Sequence, residues 1–260
     1  MQRLRNRVAL VTGGAGGIGS AIARRLADEG ATVLIADINE EGARRVATEI
    51  GGETSSLWFD AYDHQSIEAM VQHVGERHAC LDILVNNVAD TSLTASDGNV
   101  LETSVETFDR SIASNLRSIF IATKAALPLL LAAKGAIVNI SSGSALAGDS
   151  WLTAYASAKA ALISLTRNTA VQFGKQGVRC NSVCPGFIAH GRAREMMPET
   201  LESVLAAYYT TRNGEPEDIA ALVAFLASDE AGFINGENVV CDGAHSVGAT
   251  PWRSGVVNSI

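Results

Sequence analysis

The sequence predicts an α/β fold in which a doubly wound, mainly parallel sheet of about seven strands carries helices on both faces. Short aliphatic runs recur along the chain without the alternation of a half-exposed strand, which is typical of strands buried on both faces. Longer segments with apolar residues at helical spacing separate these runs. Aromatic residues make up only 5% of the chain, so aliphatic side chains must fill the core between the layers.

Strands and helices alternate from the N-terminus to the last apolar run. We predict strands over residues 8–11, 33–36, 57–59, 83–85, 136–140, 178–183 and 238–240. We predict helices over residues 18–29, 40–50, 67–74, from about 104 onward, 153–173 and 217–227.

Local signals add detail to several of these elements. Asp63 is expected to cap the third helix, and Thr103 and Glu106 have the spacing of a capping box before the long fourth helix. Pro128 is expected to lie near the end of that long helix or to kink it. Trp58, on the third predicted strand, is expected in the core.

No linker or change of composition divides the chain, so residues 1–260 are predicted to form one domain. Two stretches lie outside the alternation of strands and helices. Residues 90–101 form a polar loop, and residues 187–213 form an insertion of the length that often provides a lid over a binding site.

Charge and residue usage exclude several classes of protein. The net charge of −8 is a poor match for nucleic acid or for an anionic membrane surface. No apolar run approaches the roughly 18 residues that span a bilayer, which predicts a soluble, cytoplasmic protein. The cysteines form no CxxC pair and are expected to be reduced, and the five histidines lack the spacing of metal ligands, so we predict no metal site.

A glycine-rich stretch, Thr12-Gly13-Gly14-Ala15-Gly16-Gly17-Ile18-Gly19, separates the first strand from the first helix. Its pattern is TGxxxGxG. Glycines there let the backbone turn tightly and approach a diphosphate, which would then lie at the N-terminus of the helix. The predicted cofactor contacts in this stretch are Gly13, Gly16, Gly17, Ile18 and Gly19.

Asp37, at the end of the second strand, predicts which dinucleotide binds. A carboxylate at this position accepts hydrogen bonds from ribose hydroxyls and repels a ribose phosphate. Neither Gly14 nor Ile38 supplies a positive charge that could hold such a phosphate, so the sequence favours NAD over NADP.

Tyr155 and Lys159 are four residues apart and therefore share one face of the helix predicted over residues 153–173. The lysine cation is expected to lower the pKa of Tyr155, which would make the phenol a useful acid or base near neutral pH. Ser142 follows the fifth strand, where ligands bind in such sheets, and its hydroxyl could hydrogen-bond a reacting oxygen.

From Val8 to about Gly243, the chain resembles the short-chain dehydrogenase/reductase family, which has a Rossmann-type fold. The features that carry the resemblance occur in the family's order and spacing. They are the glycine motif, Asn86-Asn87, Asn115, Ser142, Tyr155-xxx-Lys159 and Pro185-Gly186.

The resemblance implies a role for each of these residues. Tyr155 would exchange a proton with the substrate oxygen, Ser142 would orient that oxygen, and Lys159 would bind the nicotinamide ribose and tune Tyr155. Asn115 would hold a water that links Lys159 to solvent. The other cofactor contacts that the resemblance implies are Asp60 and Ala61 at the adenine, Asn87 at the centre of the sheet, and Pro185, Gly186 and Ile188 at the nicotinamide.

Three positions depart from the family's pattern. Ala89 stands where the family has glycine, which would tighten the wall near the cofactor, and Ala244 replaces another glycine. His190 stands where the family has a threonine that contacts the nicotinamide carboxamide. We hypothesise that His190 or a neighbouring backbone group replaces that contact.

Together, these residues predict an NAD-dependent oxidoreductase that interconverts a secondary alcohol and a ketone. Met196, Met197, Tyr208 and Tyr209 in the insertion favour an apolar, cyclic or steroid-like substrate. The family implies a homo-oligomer, either a dimer or a tetramer.

Two alternatives stay open. One is a reductase of 3-oxoacyl-carrier-protein thioesters, against which Asp37 argues because biosynthetic members of the family prefer NADP. The other is a non-catalytic sensor of NAD, against which the complete set of Asn115, Ser142, Tyr155 and Lys159 argues.

Overall fold

Seven parallel strands form one sheet in the order β3-β2-β1-β4-β5-β6-β7, and the computed structural model describes residues 2–189 and 198–248. The chain winds outward from β1 to β3, returns to the other side of β1 at β4, and continues to β7. The strands are β1 (Val8–Thr12), β2 (Thr32–Asp37), β3 (Ser55–Trp58), β4 (Ile83–Asn86), β5 (Ala136–Ile140), β6 (Arg179–Pro185) and β7 (Asn238–Cys241).

Helices cover both faces of this sheet, which confirms the predicted fold class. They are α1 (Gly17–Asp28), α2 (Glu40–Ile50), α3 (His64–His78), α4 (Val105–Ile112), α5 (Ser118–Ala133), α6 (Thr153–Phe173), α7 (Pro198–Ala207) and α8 (Pro216–Ala227). One face packs against α1, α2 and α8, and the other packs against α3, α5 and α6.

Burial on both faces explains why the strands show no alternation in sequence. In β1, Val11 packs with Ile22 of α1 on one face, whereas Leu10 belongs to the opposite core with Val74 of α3. Successive side chains of a strand point to opposite faces, so every position of a central strand must be apolar. Nearly all of the larger buried side chains are aliphatic, as the low aromatic content requires.

The long fourth helix differs from its prediction at its start. Ser104 is the capping residue, because its Oγ accepts from the backbone N–H of Thr107 at 3.0 Å. The predicted capping box of Thr103 with Glu106 is therefore wrong. Thr103 instead donates its hydroxyl hydrogen to acceptors in the preceding loop, which takes it away from the helix.

A π-helical turn, Ala113–Arg117, joins α4 to α5 without a break. Pro128 lies inside α5 rather than at its end. The combined stretch Val105–Ala133 is long and apolar enough to cross a membrane by length and composition. Residues of α5 such as Ile121, Ala126 and Leu130 pack against the sheet, as in the core helix of a soluble protein.

Other differences are small shifts of boundaries, with one exception. The Asp63 cap on α3 is confirmed, since its side chain accepts from the backbone N–H of Gln65. Trp58 was expected in the core but is 50% exposed. It ends β3, which is an edge strand with only β2 beside it, so that sheet face is incompletely covered there.

Candidate active site

The predicted site residues converge at the carboxyl ends of the strands, where the order of the sheet reverses between β1 and β4. Open α/β sheets bind ligands in the crevice at such a reversal. Thr12 of β1 pairs with Asn86 of β4 at this point, so the loops that follow both strands begin side by side.

The glycine loop after β1 is closely packed against the end of β4. Gly13 has φ +68°, and a Cβ added there would lie 2.9 Å from the Cα of Val88. A Cβ added at Gly19 would lie 2.1 Å from the carbonyl oxygen of Gly13. The Asn87 side-chain amide donates to the carbonyls of Thr12 and Gly13 at 3.1 and 2.8 Å. Only glycine fits at positions 13 and 19.

Gly16 differs from its neighbours because a Cβ added there would meet no atom within 4 Å. It is the N-cap of α1, and no side chain within the described ranges caps this helix end. The first backbone N–H groups of a helix need acceptors and attract anions. This open helix start therefore fits the diphosphate of a dinucleotide.

Asp37 fastens the glycine loop to the end of β2. Its Oδ2 accepts from the backbone N–H of Ala15 at 2.9 Å, and its Oδ1 accepts from that of Asn39 at 2.9 Å. Ile38, the next residue, is 61% exposed. The carboxylate thus lies next to the glycine loop, where the sequence predicted a ribose contact.

Asp60 and Ala61 follow β3 near the same edge of the sheet. Asp60 Oδ1 accepts from the backbone N–H of Tyr62 at 2.9 Å, and its own N–H donates to Ser66 Oγ at 2.7 Å. These bonds form a tight turn that leads into α3. They fix the backbone of the residues predicted to flank an adenine.

Lys159 is fully enclosed at the end of β5. Its side chain is 1% exposed, and its Nζ donates to the carbonyl of Ile140 at 2.9 Å. Ser141 Oγ donates in turn to the Lys159 carbonyl at 2.9 Å. Burial disfavours the charged ammonium and lowers the pKa of Lys159 to about 8.

Tyr155 lies beside Lys159, with the lysine Nζ 5.7 Å from the centroid of the tyrosine ring. Burial raises the pKa of Tyr155, and a hydrogen bond with Ser142 opposes that rise. The predicted fall in the pKa of Tyr155 is therefore not found in the protein alone. Burial destabilises the phenolate by more than the hydrogen bond with Ser142 stabilises it.

Asn115 lies in the π-helical turn that packs against α6. Its amide nitrogen donates to the carbonyl of Ser111 at 3.1 Å and to Ser114 Oγ at 3.1 Å. Its Oδ1 is buried and has no hydrogen-bond partner in the part of the chain that the structure describes. Single π turns inside α-helices are frequent at functional sites, and a buried acceptor of this kind suits an ordered water.

The end of β6 closes the other side of the crevice. Gly186 donates its N–H to the carbonyl of Cys241 at 3.1 Å, and a Cβ added to it would lie 2.6 Å from Tyr208 Oη. Ile188 is buried in the core below α8. The predicted nicotinamide residues 185, 186 and 188 thus form one wall, whereas His190, Met196 and Met197 lie outside the described residues.

One residue in contact with this site, Asp97, was missed from the sequence, and Tyr208, which the sequence placed among the residues that favour an apolar substrate, makes a contact that was not predicted. Tyr208 Oη accepts from the backbone N–H of Phe187 at 2.5 Å and so anchors the segment after β6. Asp97, in the loop after β4, accepts from the backbone N–H of Tyr155 at 2.9 Å. The only signal for Asp97 was that Leu152, before α6, is a poor cap.

Comparisons with known proteins agree with this geometry. A family model described as "Enoyl-(Acyl carrier protein) reductase" matches residues 13–245. The chain is 38% identical to meso-2,3-butanediol dehydrogenase from Serratia marcescens, covering 93% of this chain and 95% of that protein. It is 34% identical to 7alpha-hydroxysteroid dehydrogenase from Bacteroides fragilis, covering 95% and 97%. A solved structure described as a short-chain dehydrogenase/reductase from Burkholderia xenovorans superposes with a TM-score of 0.88 at 32% identity, covering 96% and 100%.

The open space at Gly16 and the close approach at Gly19 predict different effects of the same substitution. Gly19→Ala should lower the melting temperature of the cofactor-free protein, because a steric clash of this kind costs about 1–3 kcal/mol. Gly16→Ala should leave that temperature unchanged and weaken NADH binding by about tenfold, or about 1.4 kcal/mol. Thermal unfolding and NADH fluorescence titration measure the two effects. Unchanged NADH affinity in Gly16→Ala would contradict a cofactor at this helix start.

Proposed function

Because the chain belongs to the short-chain dehydrogenase/reductase family and is an oxidoreductase that acts on CH–OH groups, we propose that it interconverts a secondary alcohol and a ketone with NAD. The observation that carries this proposal is the group of Ser142, Tyr155 and Lys159 at the same edge of the sheet as the glycine loop. A phenol, a serine hydroxyl that lowers the pKa of that phenol and a buried lysine form a set suited to moving one proton at a substrate oxygen.

In alcohol oxidation, Tyr155 would accept the hydroxyl proton of the substrate as the C–H bond breaks. In ketone reduction, the same phenol would return that proton to the carbonyl oxygen. Ser142 would donate a hydrogen bond to the reacting oxygen and hold it near Tyr155. NAD, when bound, would supply the hydride transfer that the side chains lack.

The charged ammonium group of Lys159 would stabilise the phenolate form of Tyr155. With a pKa of about 8, it is mostly protonated at neutral pH. It would also bind the nicotinamide ribose. Asn115 Oδ1, a buried acceptor in the turn that packs against α6, would hold the water through which Lys159 exchanges protons with solvent.

The residues that would hold NAD surround the crevice described above. The open start of α1 would receive the diphosphate, and Asp37 would accept from the adenosine ribose. The remaining proposed contacts are Gly13, Gly17, Ile18, Gly19, Asp60, Ala61, Asn87, Pro185, Gly186 and Ile188.

We propose an apolar, cyclic or steroid-like secondary alcohol as the substrate. Leu146 and Trp151 lie in the segment between Ser142 and Tyr155 and are 40% and 61% exposed. Large apolar side chains left exposed beside a polar site favour an apolar ligand. The two dehydrogenase relatives are named for a small diol and for a hydroxysteroid, and both of these contain secondary alcohols.

A second candidate is a reductase of acyl-carrier-protein thioesters, which the description of the matching family model favours. Asp37 argues against it, since this carboxylate would repel the ribose phosphate of NADP. A strong preference for NADPH with 3-oxoacyl thioesters would favour this candidate.

We further propose that the protein is a soluble, cytoplasmic, single-domain homo-oligomer. Phe120 on α5 is exposed and could form an apolar contact between subunits.

Removal of the Tyr155 hydroxyl should abolish turnover without loss of the cofactor. Tyr155→Phe is expected to lower kcat by about 100-fold or more, because general acid–base catalysis contributes about 10²–10⁴-fold. NADH formation with a panel of cyclic and steroid secondary alcohols measures it, and Tyr62→Phe is the matched control. Turnover that survives in Tyr155→Phe would contradict the role of Tyr155. Tight NADH binding without turnover in the wild-type protein would favour a sensor.

The rate of alcohol oxidation should rise with pH and that of ketone reduction should fall, because oxidation needs the phenolate and reduction needs the phenol. The Ser142 hydrogen bond lowers the pKa of Tyr155, so Ser142→Ala should move the midpoint of the oxidation profile to higher pH. Ser144→Ala is the control, since Ser144 contacts the Ser142 hydroxyl only through its backbone N–H. A midpoint that moves to lower pH in Ser142→Ala would contradict this assignment.

Asp37→Asn should reduce the preference for NAD over NADP. The amide keeps one acceptor for the two backbone N–H groups but removes the charge, so the ratio of kcat/KM values should fall by about tenfold, or about 1.4 kcal/mol. Asp63→Asn removes a similar capping carboxylate at α3 and should leave the ratio unchanged. An unchanged ratio in Asp37→Asn would refute the electrostatic basis of the preference.

A further inference from the structure

Helix α6 begins without a capping side chain of its own. Leu152 occupies the N-cap position and forms no side-chain hydrogen bond with the helix. The first N–H groups of any helix lack partners inside the helix and must find acceptors elsewhere. In α6 the first turn contains Tyr155. The acceptors that bind the N–H groups of this turn therefore help to fix the position of Tyr155.

The acceptors come from the loop after β4, which is distant in sequence. Asp97 Oδ1 accepts from the N–H of Ala154 at 3.1 Å, and Asp97 Oδ2 accepts from that of Tyr155 at 2.9 Å, across 57 and 58 residues. The carbonyl of Gly98 accepts from the N–H of Thr153 at 3.3 Å. Three successive N–H groups of α6 are therefore bound by two neighbouring residues of that loop.

Asp97 is itself held in one orientation. Only 8% of it is exposed, and its Oδ1 also accepts from Thr103 Oγ1 at 3.0 Å and from the Gly98 N–H at 3.1 Å. Its backbone N–H donates to the carbonyl of Leu93 at 3.0 Å. A buried carboxylate with this many donors is a stronger and more directional cap than an exposed serine would be.

The loop that contains Asp97 starts at the end of β4, next to the glycine motif. Asn87 and Val88, at its start, contact Thr12 and Gly13. Asp90 then accepts from Tyr62 Oη at 2.7 Å. One stretch of chain therefore runs from the proposed cofactor site to the backbone of Tyr155.

We propose that Asp97 is a positioning residue for the reaction, which holds the start of α6 so that the Tyr155 hydroxyl faces Ser142 and the substrate oxygen. This role rests on the proposed dehydrogenase function. A carboxylate at a helix N-terminus binds both the free N–H groups and the positive end of the helix dipole. Small displacements of a reacting group lower the rate strongly, so a fixed backbone at Tyr155 has a direct consequence for kcat.

The Asp97→Ala variant tests whether Asp97 positions Tyr155 for the reaction or only stabilises the start of α6. Ser104→Ala is the matched control, because Ser104 caps α4 from the same segment and has no bond to α6. Both variants should melt at lower temperature than the wild-type protein. Asp97→Ala should lower kcat by about tenfold or more, with NADH affinity within about twofold, whereas Ser104→Ala should keep kcat within about twofold. Hydrogen exchange at the Ala154 and Tyr155 amides should quicken only in Asp97→Ala.

Asp97→Asn serves as the conservative variant and replaces Asp97→Ala if the latter does not fold. Its amide oxygen can accept one of the two bonds, so its kcat should lie between those of Asp97→Ala and the wild-type protein. A folded Asp97 variant with faster exchange at Tyr155 but an unchanged kcat would overturn the positioning role. An equal loss of kcat in Ser104→Ala would overturn it as well. Wild-type protein that oxidises no secondary alcohol with NAD would instead refute the proposed function.

Discussion

The side-chain amide of Asn87 joins the ends of β1 and β4, and the geometry of the whole crevice depends on this contact. It donates to the carbonyls of Thr12 and Gly13, while the Asn87 backbone N–H donates to Thr12 Oγ1. With the loop held there, the Gly13 carbonyl lies so close to α1 that position 19 can only be glycine. Asp37 ties the same loop to β2 through Ala15. The ends of three strands are thus fixed around the open start of α1.

Burial controls the chemistry on the other side of the crevice. The enclosure that holds Lys159 against the Ile140 carbonyl disfavours its charge, and burial likewise raises the pKa of Tyr155. Both pKa shifts favour the neutral form, although Lys159, with a pKa of about 8, stays mostly protonated at neutral pH. A phenol that keeps its proton at neutral pH suits donation to a ketone. Oxidation of an alcohol needs the phenolate, so the Ser142 hydrogen bond and the lysine charge matter most in that direction.

Much of this architecture could be predicted from sequence because its causes are local. Unbroken aliphatic runs predicted the buried strands, the glycine pattern predicted a tight turn between β1 and α1, and Asp63 predicted the start of α3. The Ser104 cap was misassigned by one residue because neighbouring hydroxyls carry similar signals. Trp58 was placed in the core because periodicity does not identify an edge strand. The Asp97 contacts could not be predicted, since they join residues 57 and 58 positions apart and the poor cap at Leu152 does not identify its distant partner.

Transfer of deuterium from a secondary alcohol to the cofactor tests the central claim most directly. The protein would be incubated with NAD and with cyclic and steroid secondary alcohols deuterated at the carbinol carbon, and the reduced cofactor analysed by mass spectrometry. The account predicts NADH that carries one deuterium and oxidation that is slower for the deuterated alcohol than for its protium form. Reduced cofactor that carries no deuterium would contradict hydride transfer from a secondary alcohol at this site. So would a failure to form reduced cofactor with any of the alcohols, if NADH binding had been measured.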